Sequence, residues 1–142
     1  MRFWDSSAVV PLLVPEVASE LLRKLHASDP VVIAWWCAEI ECVSAVARAE
    51  RVGRLSATGA VEGFRRLVAL RRGWHEIEPS EEVREVAKRL LRVHDLRAAN
   101  ALHLAAALVA AESRPASLEF VCLDDRLRLA AGREGFAVVP TV

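Results

Sequence analysis

Residues 1–10 of the chain read MRFWDSSAVV, and their pattern is the first indication of the fold class. Arg2 to Trp4 is predicted to form a short buried strand that ends at Asp5. The pair Ser6-Ser7 then opens a helical stretch over Ala8 to Leu13. A strand that passes through one carboxylate directly into a helix is typical of the first unit of an α/β sheet.

The same pattern recurs near the end of the chain. Phe120 to Leu123 is predicted to be an apolar strand that runs into Asp124-Asp125 and then into a helix ending near Gly135. Phe136 to Val139 is predicted to be the last strand. Asp5 and Asp124 therefore both follow strands, at the sheet edge where ligands gather in open parallel sheets.

Between these two units the pattern predicts further alternating strands and helices. The expected strands are Val31 to Ala34 and Trp74 to Ile77. The expected helices are Glu16 to Ala27, Ala38 to Val52, one from a Ser56 cap to Gly73, one from a Ser80 cap to about Val93, and Leu96 to Ala111 with Asp95 as its cap. Short apolar strands alternating with helices indicate an α/β layer fold with a mainly parallel sheet.

Composition excludes several classes of protein. The 142 residues predict one domain, 1–142, and 54% apolar with 27% charged residues is a globular balance. Nineteen basic and nineteen acidic side chains cancel, so the whole molecule is not a basic nucleic-acid-binding body. Its apolar stretches fall short of the roughly 20 residues of a membrane span. Asp5 interrupts the apolar run that a signal peptide needs. The cysteines at 37, 42 and 122 lack the spacing of a metal site, so they are predicted to be reduced thiols in the core. Both features predict a cytoplasmic location.

A third carboxylate, Glu41, lies near the start of a predicted helix beside the apolar Ile40 and Val43. It faces either solvent or a site, and the local pattern leaves both readings open. Asp5 or Asp124 alone would be an ordinary helix cap, but together they favour a site. Gathered carboxylates repel one another unless a cation lies between them, and hard oxygen ligands select Mg²⁺ or Mn²⁺.

Four segments share a further likeness. They are DSSAVV at 5–10, WWCAEIECVSA at 35–45 with RLS at 54–56, LRAANALHLAA at 96–106, and FVCLDDRL at 120–127. In this order they resemble PIN-domain ribonucleases, especially the VapC toxins of bacterial toxin–antitoxin pairs. The resemblance runs over nearly the whole chain.

The resemblance implies a PIN-like three-layer α/β fold with a short-stranded, mainly parallel central sheet flanked by helices. It also implies a metal-dependent endoribonuclease that cleaves RNA with Mg²⁺ or Mn²⁺, forms a homodimer, and has a cognate antitoxin protein occupying its cleft. The catalytic positions carried over are Asp5, Glu41, Asn100 and Asp124, with Asp5, Glu41 and Asp124 as metal ligands. We therefore predict that these side chains converge on one cleft at the carboxyl edge of the sheet.

Several positions have rivals or departures. Glu39 competes with Glu41, Asp125 competes with Asp124, and Ser7 matches a hydroxyl-bearing position beside the first acid. Asn100 stands where the family has an aspartate, and a neutral amide should weaken metal binding. Asp95 is about 140° away around a helix and cannot replace it.

The Asn100 departure leaves a second function open, a catalytically impaired PIN-like module that binds RNA or a protein partner without cleavage. A receiver-like phosphoacceptor domain is weaker still, because neither Lys24 nor Lys88 follows a late strand.

Three further features bear on RNA. Residues 46–72 hold seven arginines and two glutamates, which form either a solvated face or the basic rim of the cleft. Arg97, one turn before Asn100, is the arginine expected nearest to substrate. His103, one turn after Asn100, is predicted to be a core or edge histidine rather than an acid–base group.

Overall fold

The computed structural model describes residues 1–141, which form five strands, seven α-helices and one short 3-10 helix. The strands are β1 (Arg2–Trp4), β2 (Val32–Trp35), β3 (His75–Ile77), β4 (Glu119–Val121) and β5 (Ala137–Val139). The helices are α1 (Ser6–Leu13), α2 (Ser19–Ser28), α3 (Ala38–Arg51), α4 (Ala57–Gly73), α5 (Glu81–Val93), α6 (Ala98–Ala110) and α7 (Asp125–Arg133), and the 3-10 helix is Pro115–Ser117.

The five strands form one sheet in the order β3-β2-β1-β4-β5. Every neighbouring pair is parallel, so the predicted α/β fold with a parallel central sheet is confirmed. Phe3 of the central strand pairs with Ile33 on one side and Phe120 on the other. The loops after β1, β2 and β4 consequently leave the same edge of the sheet side by side.

Two apolar cores cover the two faces of the sheet. Successive side chains of a strand point to opposite faces, so Phe3 and Trp4 enter different cores. Phe120 lies 5.4 Å from Phe3 and 5.5 Å from Phe136, ring centre to ring centre, in the core that α5, α6 and α7 cover. Trp4 belongs to the core that helices α1 to α4 cover. Short strands buried on both faces explain why they read as continuous apolar runs.

Several predicted boundaries move, and two predictions about helix starts are wrong. Helix α2 begins at Ser19 rather than Glu16, because the Ser19 hydroxyl accepts a hydrogen bond from the Glu16 amide (2.8 Å) and holds a turn there. Helix α6 begins at Ala98 after Arg97, which makes no side-chain cap. The predicted cap Asp95 is instead an exposed residue 3.7 Å from Arg126.

The strands β2 and β4 are also displaced from their predicted ranges. β2 ends at Trp35 because that residue pairs with Ile77, and β4 ends at Val121 because its partner strand ends at Trp4. Leu123 therefore lies beyond the last strand pair, in the loop that leads to the site. The predicted caps Ser56 and Ser80 are confirmed, each accepting an amide hydrogen bond three residues ahead.

All three cysteines are free thiols. Cys42 and Cys122 are buried and Cys37 is partly exposed, so two of the three predicted core thiols lie in the core. Burial raises the pKa of Cys42 to about 12 and also raises the pKa of Cys122, which keeps both thiols protonated. Across residues 1–141, every helix is too short or too polar to cross a membrane.

Two glycines near the end of α7 should respond oppositely to alanine. Gly135 has a φ of +105°, and an added Cβ would lie 2.9 Å from the Pro115 ring, so Gly135→Ala is expected to lower the free energy of unfolding by more than about 1 kcal/mol. Gly132 is helical with open space around it, so Gly132→Ala should raise that free energy by about 0.5–1 kcal/mol. Urea denaturation of both variants measures the two changes, and equal effects would contradict the assignment.

Candidate active site

Asp5 lies at the centre of the carboxyl edge, directly after β1. Its side chain caps α1, with Oδ2 accepting a hydrogen bond from the Ser7 amide at 3.1 Å. The residue is only 2% exposed, and within residues 1–141 its other oxygen, Oδ1, has no hydrogen-bond partner. Asp5 is therefore a buried carboxylate in which Oδ2 accepts a backbone hydrogen bond and Oδ1 accepts none from the described residues.

Ser7 joins this centre to the neighbouring strand. Its hydroxyl accepts a hydrogen bond from the Leu123 amide at 3.0 Å and lies 3.7 Å from the Cys122 sulfur. The start of α1 is thereby tied to the loop after β4, which fixes the position of Asp5 relative to that loop. The position predicted to carry a hydroxyl thus has a positioning role in the structure.

Glu41 comes from the other neighbouring strand, through the first turn of α3. Its Oε1 lies 2.5 Å from Nε2 of His103, and its side chain is 30% exposed. The rival residue Glu39 is instead in an ion pair with Arg71 at 3.1 Å. Of the two glutamates, the structure turns Glu41 toward the centre.

His103 connects Glu41 and Asp5. The ring projects from α6, is 1% exposed, and places Nδ1 3.2 Å from Oδ1 of Asp5 while Nε2 contacts Glu41. The Nδ1–Oδ1 contact falls outside hydrogen-bond geometry, so Nδ1 also lacks a hydrogen-bond partner among the described residues. The prediction that His103 is a core or edge histidine agrees with its burial, but its contact with both acids was not predicted. Its position one turn after Asn100 was the feature of the sequence that could have indicated this contact.

The electrostatics of the three groups are coupled. Burial alone would lower the pKa of His103, but the charge of Asp5 and the hydrogen bond and charge of Glu41 outweigh it, so the pKa is raised. Burial alone would raise the pKa of Glu41, but its hydrogen bond to His103, the charge of His103 and a hydrogen bond from Ser6 lower it. Both shifts favour a charged imidazolium held between carboxylates.

The other two predicted site residues, Asp124 and Asn100, are at the start of α7 and on α6. Asp124 follows β4 and caps α7, with Oδ1 accepting from the Leu127 amide at 2.9 Å, while the rival Asp125 is exposed. Asn100 is partly exposed on α6, one turn before His103. In the chain from residue 1 to 141, no three or more His, Cys, Asp or Glu side chains are grouped so that they could hold a metal ion.

Solved structures identify the architecture. VapC20 of Mycobacterium tuberculosis, a sarcin-ricin loop cleaving toxin, superposes with a TM-score of 0.68 at 19% identity, over 99% of this chain and 100% of that one. The chain has the PIN-type fold of the VapC toxins. A toxin–antitoxin complex from Klebsiella pneumoniae (TM-score 0.66, 16% identity) and FitAcB from Neisseria gonorrhoeae (0.65, 17%) each cover 99% of this chain and 97% of their own. No protein-family model and no curated protein matches the sequence.

In this VapC-type fold, the two carboxylates at the centre are of the ligand type that a hard divalent cation prefers. Asp5 and Glu41 offer carboxylate oxygens on either side of His103, Asn100 brings an amide on α6, and Asp124 brings a carboxylate at the start of α7. Carboxylate and carbonyl oxygens are the ligands that Mg²⁺ and Mn²⁺ prefer. Oδ1 of Asp5 bears on this question, because it is a buried anionic oxygen without a hydrogen-bond donor, and the group that it faces is the His103 ring.

A polar groove of about 380 Å³ opens beside Glu41. We call it the Glu41 groove, and its lining residues are Val10, Val14, Glu16, Glu41, Ser44, Ala45, Arg48, Ala49 and Arg54. Two arginines of the basic segment, Arg48 and Arg54, therefore reach the groove. Arg65 and Arg66 are paired with Glu62 on α4 instead.

Proposed function

We propose that the chain is a toxin-type ribonuclease that cleaves RNA phosphodiester bonds with Mg²⁺ or Mn²⁺. The observation that carries this proposal is the placement of buried Asp5 and of Glu41 on either side of His103, at the carboxyl edge of a VapC-type sheet. A toxin of this kind would act in the cytoplasm as a homodimer, and a cognate antitoxin would block its cleft. VapC20 and the toxin–antitoxin complex of Klebsiella pneumoniae support this assignment through their shared fold.

The residues of the site would have different roles in binding the cation and the RNA. Asp5 and Glu41 would hold the cation, with Asp124 and the Asn100 amide oxygen as further donors at the edge. When bound, the divalent ion supplies a Lewis acid that offsets charge on the scissile phosphate and activates water. The Ser7 amide and hydroxyl hold Asp5 and the loop after β4 in place. Arg48 and Arg54 would bind phosphate groups of RNA in the Glu41 groove, which is a sequence-independent contribution to affinity.

A specific observation favours a second candidate, a PIN-like module that binds RNA or a protein partner without cutting. Asn100 carries no charge where the resemblance leads to an aspartate. The described residues also lack a group of three metal-ligating acids or histidines. Both features weaken metal binding while leaving the arginines of the Glu41 groove intact.

Cleavage of a mixed RNA pool tests the ribonuclease directly. Wild-type protein with Mg²⁺ or Mn²⁺ should cut, and Asp5→Asn should lower the rate at least about 100-fold, equivalent to about 2.7 kcal/mol in the barrier. Glu39→Gln and Asp125→Asn are matched controls that remove a rival carboxylate each, and they should leave the rate within about threefold. RNA binding by the wild type without cleavage in either metal would favour the second candidate.

The Glu41 groove makes a separate prediction about RNA affinity. Neutralising Arg48 and Arg54 together to glutamine should weaken RNA binding at every sequence and reduce the slope of log affinity against log salt by about 1 per arginine. Arg65→Gln with Arg66→Gln is the matched control, because those side chains are paired with Glu62. Equal losses in the two double variants, measured by fluorescence anisotropy, would reject the groove as the RNA surface.

A further inference from the structure

The imidazole of His103 occupies the space between the two inner carboxylates. Nε2 lies 2.5 Å from Oε1 of Glu41, and Nδ1 lies 3.2 Å from Oδ1 of Asp5. With the side chain 1% exposed, the ring is enclosed rather than free to swing in solvent. Both ring nitrogens face carboxylate oxygens, so neither one is available to a third group in this arrangement.

The oxygens that face His103 are the ones an incoming cation needs. Oδ2 of Asp5 already accepts a hydrogen bond from the Ser7 amide at 3.1 Å and lies 3.7 Å from the Cys122 sulfur. Oδ1 is the oxygen of that carboxylate that accepts no hydrogen bond from the described residues, and it faces Nδ1 of His103. A cation bridging Asp5 and Glu41 would therefore have to take the place that the ring now fills.

We propose that His103 competes with the divalent cation for the oxygens of Asp5 and Glu41, so that the cation binds only after the ring withdraws from them. This inference rests on the metal-dependent site of the proposed function. Without the cation, the ring lies between the two carboxylates and is hydrogen-bonded to Glu41. With the cation present, the ring is a competitor, and the apparent affinity is the intrinsic affinity multiplied by the fraction of molecules in which the ring has moved away.

Asn100 acts in the same direction. It lies one turn before His103 on α6 and adds no negative charge to the edge that would attract the cation. The arrangement in which His103 lies between Asp5 and Glu41 is thus favoured over the cation-bound one by the ring itself and by the neutral side chain of Asn100.

Manganese titration followed by electron paramagnetic resonance of the free ion tests the competition. At one fixed pH, His103→Gln is expected to bind Mn²⁺ about tenfold more tightly than the wild type, because a glutamine cannot span both carboxylates. The control is His94→Gln, which removes a partly buried histidine bound to Glu134 at 2.7 Å and should leave the affinity unchanged. Equal or weaker Mn²⁺ binding by His103→Gln, or no binding by either protein, overturns the proposal.

A second measurement uses the wild type alone and does not depend on a variant folding. Long-range ¹H–¹⁵N spectra of the histidine rings should show His103 moving as Mg²⁺ is added, with the other rings unchanged. A His103 signal that stays in place while Mg²⁺ binds overturns the competition. An RNA cleavage assay distinguishes failure of this inference from failure of the proposed function. Tighter Mn²⁺ binding by His103→Gln without RNA cleavage supports the competition and contradicts the ribonuclease. RNA cleavage with unaltered Mn²⁺ affinity in His103→Gln supports the ribonuclease and contradicts the competition.

Discussion

Replacing His103 with alanine is expected to lower the free energy of unfolding by about 3–5 kcal/mol, the usual cost of breaking a buried ion pair from one side. The change removes the ring that faces Asp5 and Glu41, and Asp5 is only 2% exposed. Asp5 and Glu41 would then lose the positively charged ring between them, and the ring would leave a cavity. Urea denaturation at neutral pH in metal-free buffer measures the loss.

A matched control exists at the end of α5. His94→Ala also removes a buried ring that contacts a carboxylate, but that carboxylate, Glu134, keeps Arg89 at 2.7 Å. The loss for His94→Ala should therefore be clearly smaller. Adding Asp5→Asn to His103→Ala should recover part of the stability, because it removes one of the two unpaired charges. A loss below about 1 kcal/mol for His103→Ala would contradict the ion-paired arrangement.

The pH dependence of this loss has a definite sign. The pKa of His103 is raised in the folded protein, since the charge of Asp5 and the Glu41 hydrogen bond outweigh burial, so the ring stabilises the fold fully below its usual pKa of 6.5. That contribution is lost as pH rises through the raised folded pKa. The pKa of Glu41 is lowered, so its contribution is present above the usual 4.5 and is lost as pH falls through the folded value. The difference between wild type and His103→Ala should accordingly be largest in mildly acidic solution between these limits.

Restoring an acid at Asn100 is expected to have the largest effect on function. Asn100→Asp should tighten Mn²⁺ binding at least about tenfold, or 1.4 kcal/mol, and should increase RNA cleavage. Two unit charges 4 Å apart at an effective dielectric of 20 interact by roughly 4 kcal/mol, so a gain of this size needs only part of the available attraction. The metal-free variant should be less stable than the wild type, because another anion joins Asp5 and Glu41.

The control for this variant is Ala99→Asp, which adds the same charge at an exposed neighbouring position on α6. It should change neither Mn²⁺ affinity nor cleavage appreciably. Melting curves with and without Mn²⁺ complete the test. If Asn100→Asp lowers stability even with Mn²⁺ and adds no cleavage, the metal site is rejected and the non-cleaving module is favoured.

Much of the fold is predictable because its signals are local. Asp5, Ser56, Ser80 and Asp124 each accept a hydrogen bond from an amide two or three residues ahead, so cap and helix lie in one short stretch of sequence. Asp95 shows where the local rule fails. It has the side chain of a cap, but its nearest ionic partner is Arg126 on another helix, and α6 starts after Arg97 without it.

The candidate site divides in the same way. Local pattern picks out Asp5, Asp124 and Glu41, which follow strands or lie near the start of a helix, and the resemblance adds Asn100. The sequence did not show which arginines of the basic segment, residues 46–72, line the groove and which pair with a glutamate. Arg48 and Arg54 reach the Glu41 groove while Arg65 and Arg66 pair with Glu62, a difference set by how α3 and α4 pack.

The alternation of strands and helices, the parallel sheet and the acids that follow its strands are predictable from the sequence, because periodicity and capping act over a few neighbouring residues. Only the tertiary structure decided what those acids contact. His103 and Glu41 are 62 positions apart and come from different helices, and Asp5 comes from the central strand. Their contact depends on the packing of α6 against the sheet, and this packing places one buried ring between two carboxylates.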